Sequence, residues 1–189
     1  MSVTMQMHRK KAAKPMLWIS MASMAMIFAG LTSAYVVRKA EGNWVDFSLP
    51  PQMYISTALI IASSITMILA ALLLRKNKSK EATIAIGATL ALGLGFGIYQ
   101  LNAWSYLTDQ GIFFTGPSSN ASGSFLYALT FVHLLHLVGG LISLIVTLIN
   151  CGRGKYTADE KLGFELASIF WHFLGALWLY LFLFLLFIR

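Results

Sequence analysis

The 189 residues are 58% hydrophobic and only 11% charged, with a mean hydropathy of +0.72. A soluble globular domain carries about 25% charged residues, so this composition excludes one and indicates a chain built to sit in lipid. The net charge of +7 comes from Lys and Arg gathered at the ends of apolar runs. That placement suits anionic headgroups, and no aromatic-and-basic groove or Gly-rich phosphate loop points to nucleic acid.

Residues 1–15 form a basic segment with Arg9, Lys10, Lys11 and Lys14, expected in the cytoplasm. Five charge-poor runs follow, near residues 16–37, 52–74, 82–107, 123–150 and 163–188. A hydrocarbon core of about 30 Å needs roughly 20 apolar residues as helix, so each run is long enough to span. The expected fold is an all-α integral membrane protein, a single five-helix bundle over residues 16–189. A bundle of helices satisfies every backbone polar group within lipid.

The first run, Met16–Val37, is longer than the core of a secretory leader and has only a weak cleavage site at "TSA", so it reads as a retained helix. Its Met16, Met21, Met24 and Met26, with Met5 and Met7 beside His8, offer soft thioethers for copper, but flexible Met also fills packing gaps. The third run carries Gly87, Ala91 and Gly95 at four-residue steps, a small-residue face expected to pack closely on another helix. Gln100, Asn102 and Trp104 lie in its outer third, where interfacial aromatics are common. The stretch "QGIFFTGPSSNASGS" reads as a loop, and its Asn120-Ala-Ser matches a glycosylation acceptor by three residues only.

Four Lys and Arg precede the first span, Arg75, Lys76, Lys78 and Lys80 separate the second and third, and Arg153, Lys155 and Lys161 separate the fourth and fifth. The opposite side has Arg38, Lys39 and Arg189. The positive-inside rule therefore places the N-terminus in the cytoplasm and the C-terminus outside. Cys151 stands alone and supports neither a disulfide nor a metal site by itself.

Ionisable and polar residues inside the spans are costly in lipid and should face protein or water. In the fourth span His133, His136, Gly140, Ser143 and Thr147 form one helical stripe; in the fifth, Glu165, Ser168, His172 and Gly175 form another. The short connection makes these helices antiparallel neighbours, and the simplest arrangement turns the stripes toward each other or into a shared cleft. At about 1.5 Å per residue, His172 lies roughly 13 Å above the start of its helix, and His136 about 21 Å above the end of its own, so with helix tilt the two could approach. Glu165 lies roughly 10 Å below His172 and should meet Ser143, Thr147, a headgroup or another subunit instead. Two histidines three residues apart could share a metal, and His172 could add a haem ligand, but nothing nearby completes a sphere. Buried, hydrogen-bonded histidines at helix contacts are the favoured reading of these residues.

Several segments, in order, resemble subunit III of the haem-copper respiratory oxidases. "GFELASIFWHFLGALWLYLF" is similar to the family's last helix, with Glu165, Trp171, His172, Phe173 and Trp178 at matching spacings. "FLYALTFVHLLHLVGG" is similar to the preceding helix, with its His133-x-x-His136 followed by Gly140, and "YQLNAW" and "MIFAGLTSAYVVR" resemble earlier segments. Five spans match the short form of a family whose full-length members have seven.

The resemblance implies a non-catalytic subunit without haem or copper of its own, those belonging to partner subunits I and II. It implies packing on subunit I, bound phospholipid, and support of proton uptake and complex stability in a proton-pumping terminal oxidase of a bacterial cytoplasmic membrane. Two carboxylates common in the family are missing: Met24 and Ala103 stand at their places. The alternatives are an accessory protein of nitric oxide reductase with the same fold, and a small haem-binding membrane cytochrome.

Overall fold

A computed structural model describes residues 3–41, 44–45, 48–116, 119–156 and 161–188, with backbone only for residues 3–11. The side chains of Met5, Met7, His8, Arg9, Lys10 and Lys11, and all of Arg189, lie outside the described part. Five helices run in order: α1 Val3–Ala40, α2 Pro51–Arg75, α3 Ser79–Asp109, α4 Ala121–Gly152 and α5 Leu162–Ile188. All five are long and apolar enough to cross a membrane, and the described residues contain no strand.

Local chemistry sets the helix ends. Pro51 opens α2 at a position whose N–H would have no helical partner anyway. The Asn120 side chain caps α4, accepting from the Gly123 N–H at 2.8 Å and the Ser122 hydroxyl at 2.9 Å. The residue of the glycosylation-like triplet is thus engaged as a helix cap. Three helices close with the paired 6→1 and 5→2 bonds of a Schellman turn. After α2, Lys78 N–H reaches Leu73 O at 3.0 Å and Asn77 N–H reaches Leu74 O at 3.1 Å, with Asn77 at φ 57°. Gly111 after α3 and Gly154 after α4 hold the same left-handed position, at φ 77° and 68°.

Helices α2 to α5 form a closed ring, each beside the next, with α5 returning to α2; α1 lies outside in the groove between α4 and α5. The α1–α5 contact is fastened at both ends and in the middle. Lys14 pairs with Glu165 at 2.7 Å, the Thr32 and Tyr180 hydroxyls lie 2.9 Å apart, and Lys39 Nζ donates to Ile188 O at 2.9 Å. The starts of α1 and α5 therefore share one face of the bundle and their ends share the other, as an odd number of crossings requires. Outward-facing residues such as Ile65, Ile84, Ile142 and Phe187 are exposed large hydrophobics, the surface expected of a lipid-facing helix.

Candidate functional site

The centre of the bundle is organised by two tryptophans seven residues apart on α5. Trp171 and Trp178 are fully buried. Trp171 Nε1–H donates to Ser63 Oγ of α2 at 3.1 Å, and the Ser63 hydroxyl donates to Ile60 O at 2.7 Å. Trp178 Nε1–H donates to Thr57 Oγ1 at 3.0 Å, and Thr57 donates to Met53 O at 2.7 Å. A third rung lies nearby: Gln100 Nε2 of α3 donates to Ser56 Oγ at 2.8 Å. Thr66 and Thr89 share a hydroxyl bond at 2.8 Å between the same two helices. Each indole buries a large apolar body and still satisfies its one polar atom, which lipid could not do.

The indoles need room, and glycines supply it. A Cβ on Gly93 of α3 would stand 2.5 Å from Trp171 Cη2, and one on Gly140 of α4 would stand 2.7 Å from Leu174 Cδ1 and 3.3 Å from the Trp171 ring. Trp171 thus reaches α2, α3 and α4 at once. Gly140, expected beside the histidines, is the floor of this contact. Phe173 is partly buried against the same core.

The histidines separate into three surroundings. His133 is fully buried among aromatic rings, with centroids 6.3 Å from Phe28, 5.9 Å from Phe96 and 5.2 Å from Trp178. Neither of its ring nitrogens has a hydrogen-bond partner among the described residues, which corrects the expectation of a hydrogen-bonded core histidine. These rings come from α1, α3 and α5. His136 is half-buried beside Phe28, its Nδ1 2.8 Å from Val132 O on its own helix. His172 is half-buried on the other side of α5, in a cavity it shares with Ile60, Ile61 and Ser64 of α2. His136 and His172, read from the sequence as able to approach, stand in different surroundings, the first beside Phe28 of α1 and the second against α2. Among the described residues no three His, Cys, Asp or Glu come together as a metal site.

An orphaned buried polar group costs about 1–3 kcal/mol. His133→Leu is therefore expected to keep or raise the thermal midpoint of the purified chain. A fall of several degrees would show that the imidazole makes a bond this arrangement lacks.

The two stripes do not meet, and the reason is α5. Its most voluminous face, with Trp171, Leu174 and Trp178, fills the ring, so Glu165, Ser168 and His172 are carried round toward α2. The Glu165 carboxylate meets neither Ser143 nor Thr147 but Lys14, a residue of the basic segment, with both side chains partly exposed at the bundle edge. Ser143 and Thr147 instead line a cleft of about 400 Å³ among α1, α4 and α5.

The small-residue face of α3 is also displaced. Gly87 and Gly95 have only ordinary contacts, at 3.9 Å to Leu148 and 3.5 Å to Leu59, and Ala91 is exposed. The buried face is Ile86, Thr89, Gly93, Phe96 and Gln100. Thr89 and Gln100 need polar partners and Phe96 needs packing, and these demands outweigh a glycine repeat in choosing which side turns inward. Trp104, expected as an interfacial anchor, donates its indole N–H to Thr130 Oγ1 at 3.0 Å.

Gly93, Ser63 and Thr57 were not singled out by sequence reasoning, and Lys14 was read only as part of the basic segment. A signal existed for two of them: Ser56-Thr57 and Ser63-Ser64 repeat after seven residues on α2, matching the seven-residue step between Trp171 and Trp178.

The chain is similar to known proteins. The family model for cytochrome c oxidase subunit III matches residues 46–188. A probable cytochrome c oxidase subunit 3 of Nocardia farcinica is 31% identical over 184 residues, 92% of this chain and 85% of the relative. The corresponding protein of Mycobacterium bovis is 32% identical over 177 residues, 91% of this chain and 85% of its own length. A cytochrome bo(3) ubiquinol oxidase subunit 3 of Pseudomonas aeruginosa is 29% identical over 169 residues, covering 87% and 79%. With a five-helix membrane fold and a family match over most of its length, this chain belongs to the subunit III family of the haem-copper oxidases.

Proposed function

We propose that this chain is a non-catalytic subunit that packs on subunit I of a proton-pumping terminal oxidase, with subunit II completing the core. On this reading the haem and copper reside in those partners. The chain holds phospholipid, supports proton uptake and prolongs the life of the complex in a bacterial cytoplasmic membrane. Glu165, Trp171, His172, Phe173, Trp178, His133, His136 and Gly140 are its structural and lipid-cleft residues. The observation that supports the reading is the way the titratable groups are spent: Glu165 ties α5 to α1, and the three intramembrane histidines face three different neighbourhoods.

The test is purification from native membranes through a tag on this chain, with oxygen consumption measured using reduced cytochrome c and ubiquinol as donors. Recovery of copper-containing, oxygen-consuming subunits is expected. Recovery of a reductase that consumes nitric oxide and not oxygen would overturn the reading.

Glu165→Gln separates a fastener from a proton carrier. An exposed ion pair contributes about 0–1 kcal/mol, so the bundle should survive its loss. Initial oxygen consumption per intact complex is expected to stay near normal, with faster decay during turnover or lower retention of the chain. A lower initial rate at full retention, varying with pH, would assign the carboxylate to proton handling.

Orientation is tested separately. With the basic connections inside, a thiol introduced at Ser119, just before α4, is expected to react with a membrane-impermeant maleimide in intact cells. Reaction only after the inner face is opened would reverse the topology.

A further inference from the structure

We infer that the groove between α2 and α5, with Ser64 and His172 unpaired at its middle, receives a transmembrane helix of another oxidase subunit that brings a hydrogen-bonding side chain to their level. The inference rests on the subunit reading and goes further by naming the surface and the chemistry of its partner.

Two openings lie along one seam. A cavity of about 210 Å³ is bordered by Ser64, His172 and Gly175, and one of about 200 Å³ at the inner end by Arg75, Lys161 and Glu165. Ser64 lies near the middle of α2, and Gly175 near the middle of α5, so the first opening is at mid-membrane depth. Both polar groups there lack partners among the described residues. The other serine and threonine hydroxyls of α2 are satisfied: Ser56, Ser63 and Thr66 each donate to the carbonyl three residues back, and Thr57 to the one four back. Ser64 does not.

A half-exposed imidazole beside a free hydroxyl, facing hydrocarbon, is an unfavourable end state. An acyl chain would fill the cavity yet pair neither group. A protein helix can do both. The rim is low enough for one to approach. Gly175 has no side chain, Ala176 is small and exposed, and a Cβ on Gly175 would stand 3.2 Å from Ser64 Oγ. At the inner end, neither Arg75 nor Lys161 has an ion-pair partner among the described residues, which fits an acidic or carbonyl-rich helix end on the partner.

A photoreactive amino acid at Ala176, activated in the assembled complex in native membranes, is expected to crosslink to another oxidase subunit. His172→Leu and Ser64→Ala are each expected to lower retention of the chain in the purified complex about three- to tenfold, the loss of one hydrogen bond. The same substitutions should leave the thermal midpoint of the separated chain unchanged or higher, since no partner within the chain is lost. His172→Gln, which keeps a donor and an acceptor, should recover part of the retention.

Crosslinks to lipid alone, or to a second copy of this chain, would overturn the inference, as would full retention of both variants. In those outcomes the wild-type chain still copurifies with an oxidase, so the subunit reading stands. A wild-type chain that copurifies with no oxidase subunit would overturn that reading and the inference with it.

Discussion

Trp171→Ala is expected to lower the thermal midpoint of the detergent-solubilised chain by on the order of 10 °C. Three losses coincide at this residue. The indole fills the middle of the ring, where no neighbour can follow it inward, so truncation leaves a cavity; Trp→Ala at such positions costs about 3–5 kcal/mol. The Ser63 hydroxyl loses the donor that holds it. Gly93 and Gly140, which have no side chains because the indole is present, then line empty space. A domain of 150–250 residues shifts by about 2–4 °C per kcal/mol, which gives the stated size. Trp171→Phe should recover most of the packing but not the bond to Ser63, and so fall between. A shift of less than about 3 °C for Trp171→Ala would mean the four helices are held mainly at their edges.

The complementary change acts on the same contact from the opposite side. Gly93→Ala introduces a Cβ 2.5 Å from Trp171 Cη2, 2.9 Å from Cζ2 and 3.1 Å from Leu141 Cδ2. The indole cannot step aside cheaply. It is a rigid plane, its N–H is tied to Ser63, and Gly140 backs its other edge. Overpacking of this kind costs about 1–3 kcal/mol, and Gly93→Leu should exceed that and reduce the yield of folded chain. The decisive measurement is the double variant. In a Trp171→Ala background the new methyl meets no ring, so Gly93→Ala should become harmless, giving a coupling of about 1–3 kcal/mol. Additive effects would show that the two residues do not touch. Gly87→Ala and Gly95→Ala, at positions with only ordinary contacts, should each change the midpoint by far less.

Glu165 shows how much of this was legible beforehand. Its place near the start of the last span followed from counting residues against the helical rise, and so did its separation from His172. Its partner did not. Lys14 is remote in the chain, and only the docking of α1 between α4 and α5 brings the ammonium to 2.7 Å. The histidines repeat the lesson. Their helical spacing was correct, but spacing fixes positions on one helix and not the rotation of that helix against its neighbours. His133 faces three rings from three other helices, and His172 faces α2, because α5 turns by the volume of its tryptophans. The glycine repeat on α3 was misleading for the same reason. Small residues permit close approach wherever they occur, and Gly93 rather than Gly95 is used because it shares a face with Phe96, Thr89 and Gln100.

The sequence by itself determined the number of helices long and apolar enough to cross a membrane, and the family. These depend on properties that accumulate locally: apolar length against bilayer thickness, Lys and Arg at the ends of runs, and motifs in a fixed order. Only the tertiary structure decided which face of each helix turns inward, that α1 stands outside a ring of four, and that hydroxyls on α2 receive the indoles of α5. Those outcomes depend on satisfying buried polar atoms and filling volume across helices at the same time. In a chain this apolar nearly every face is greasy enough to be buried, so hydrophobic periodicity is too weak to choose among them.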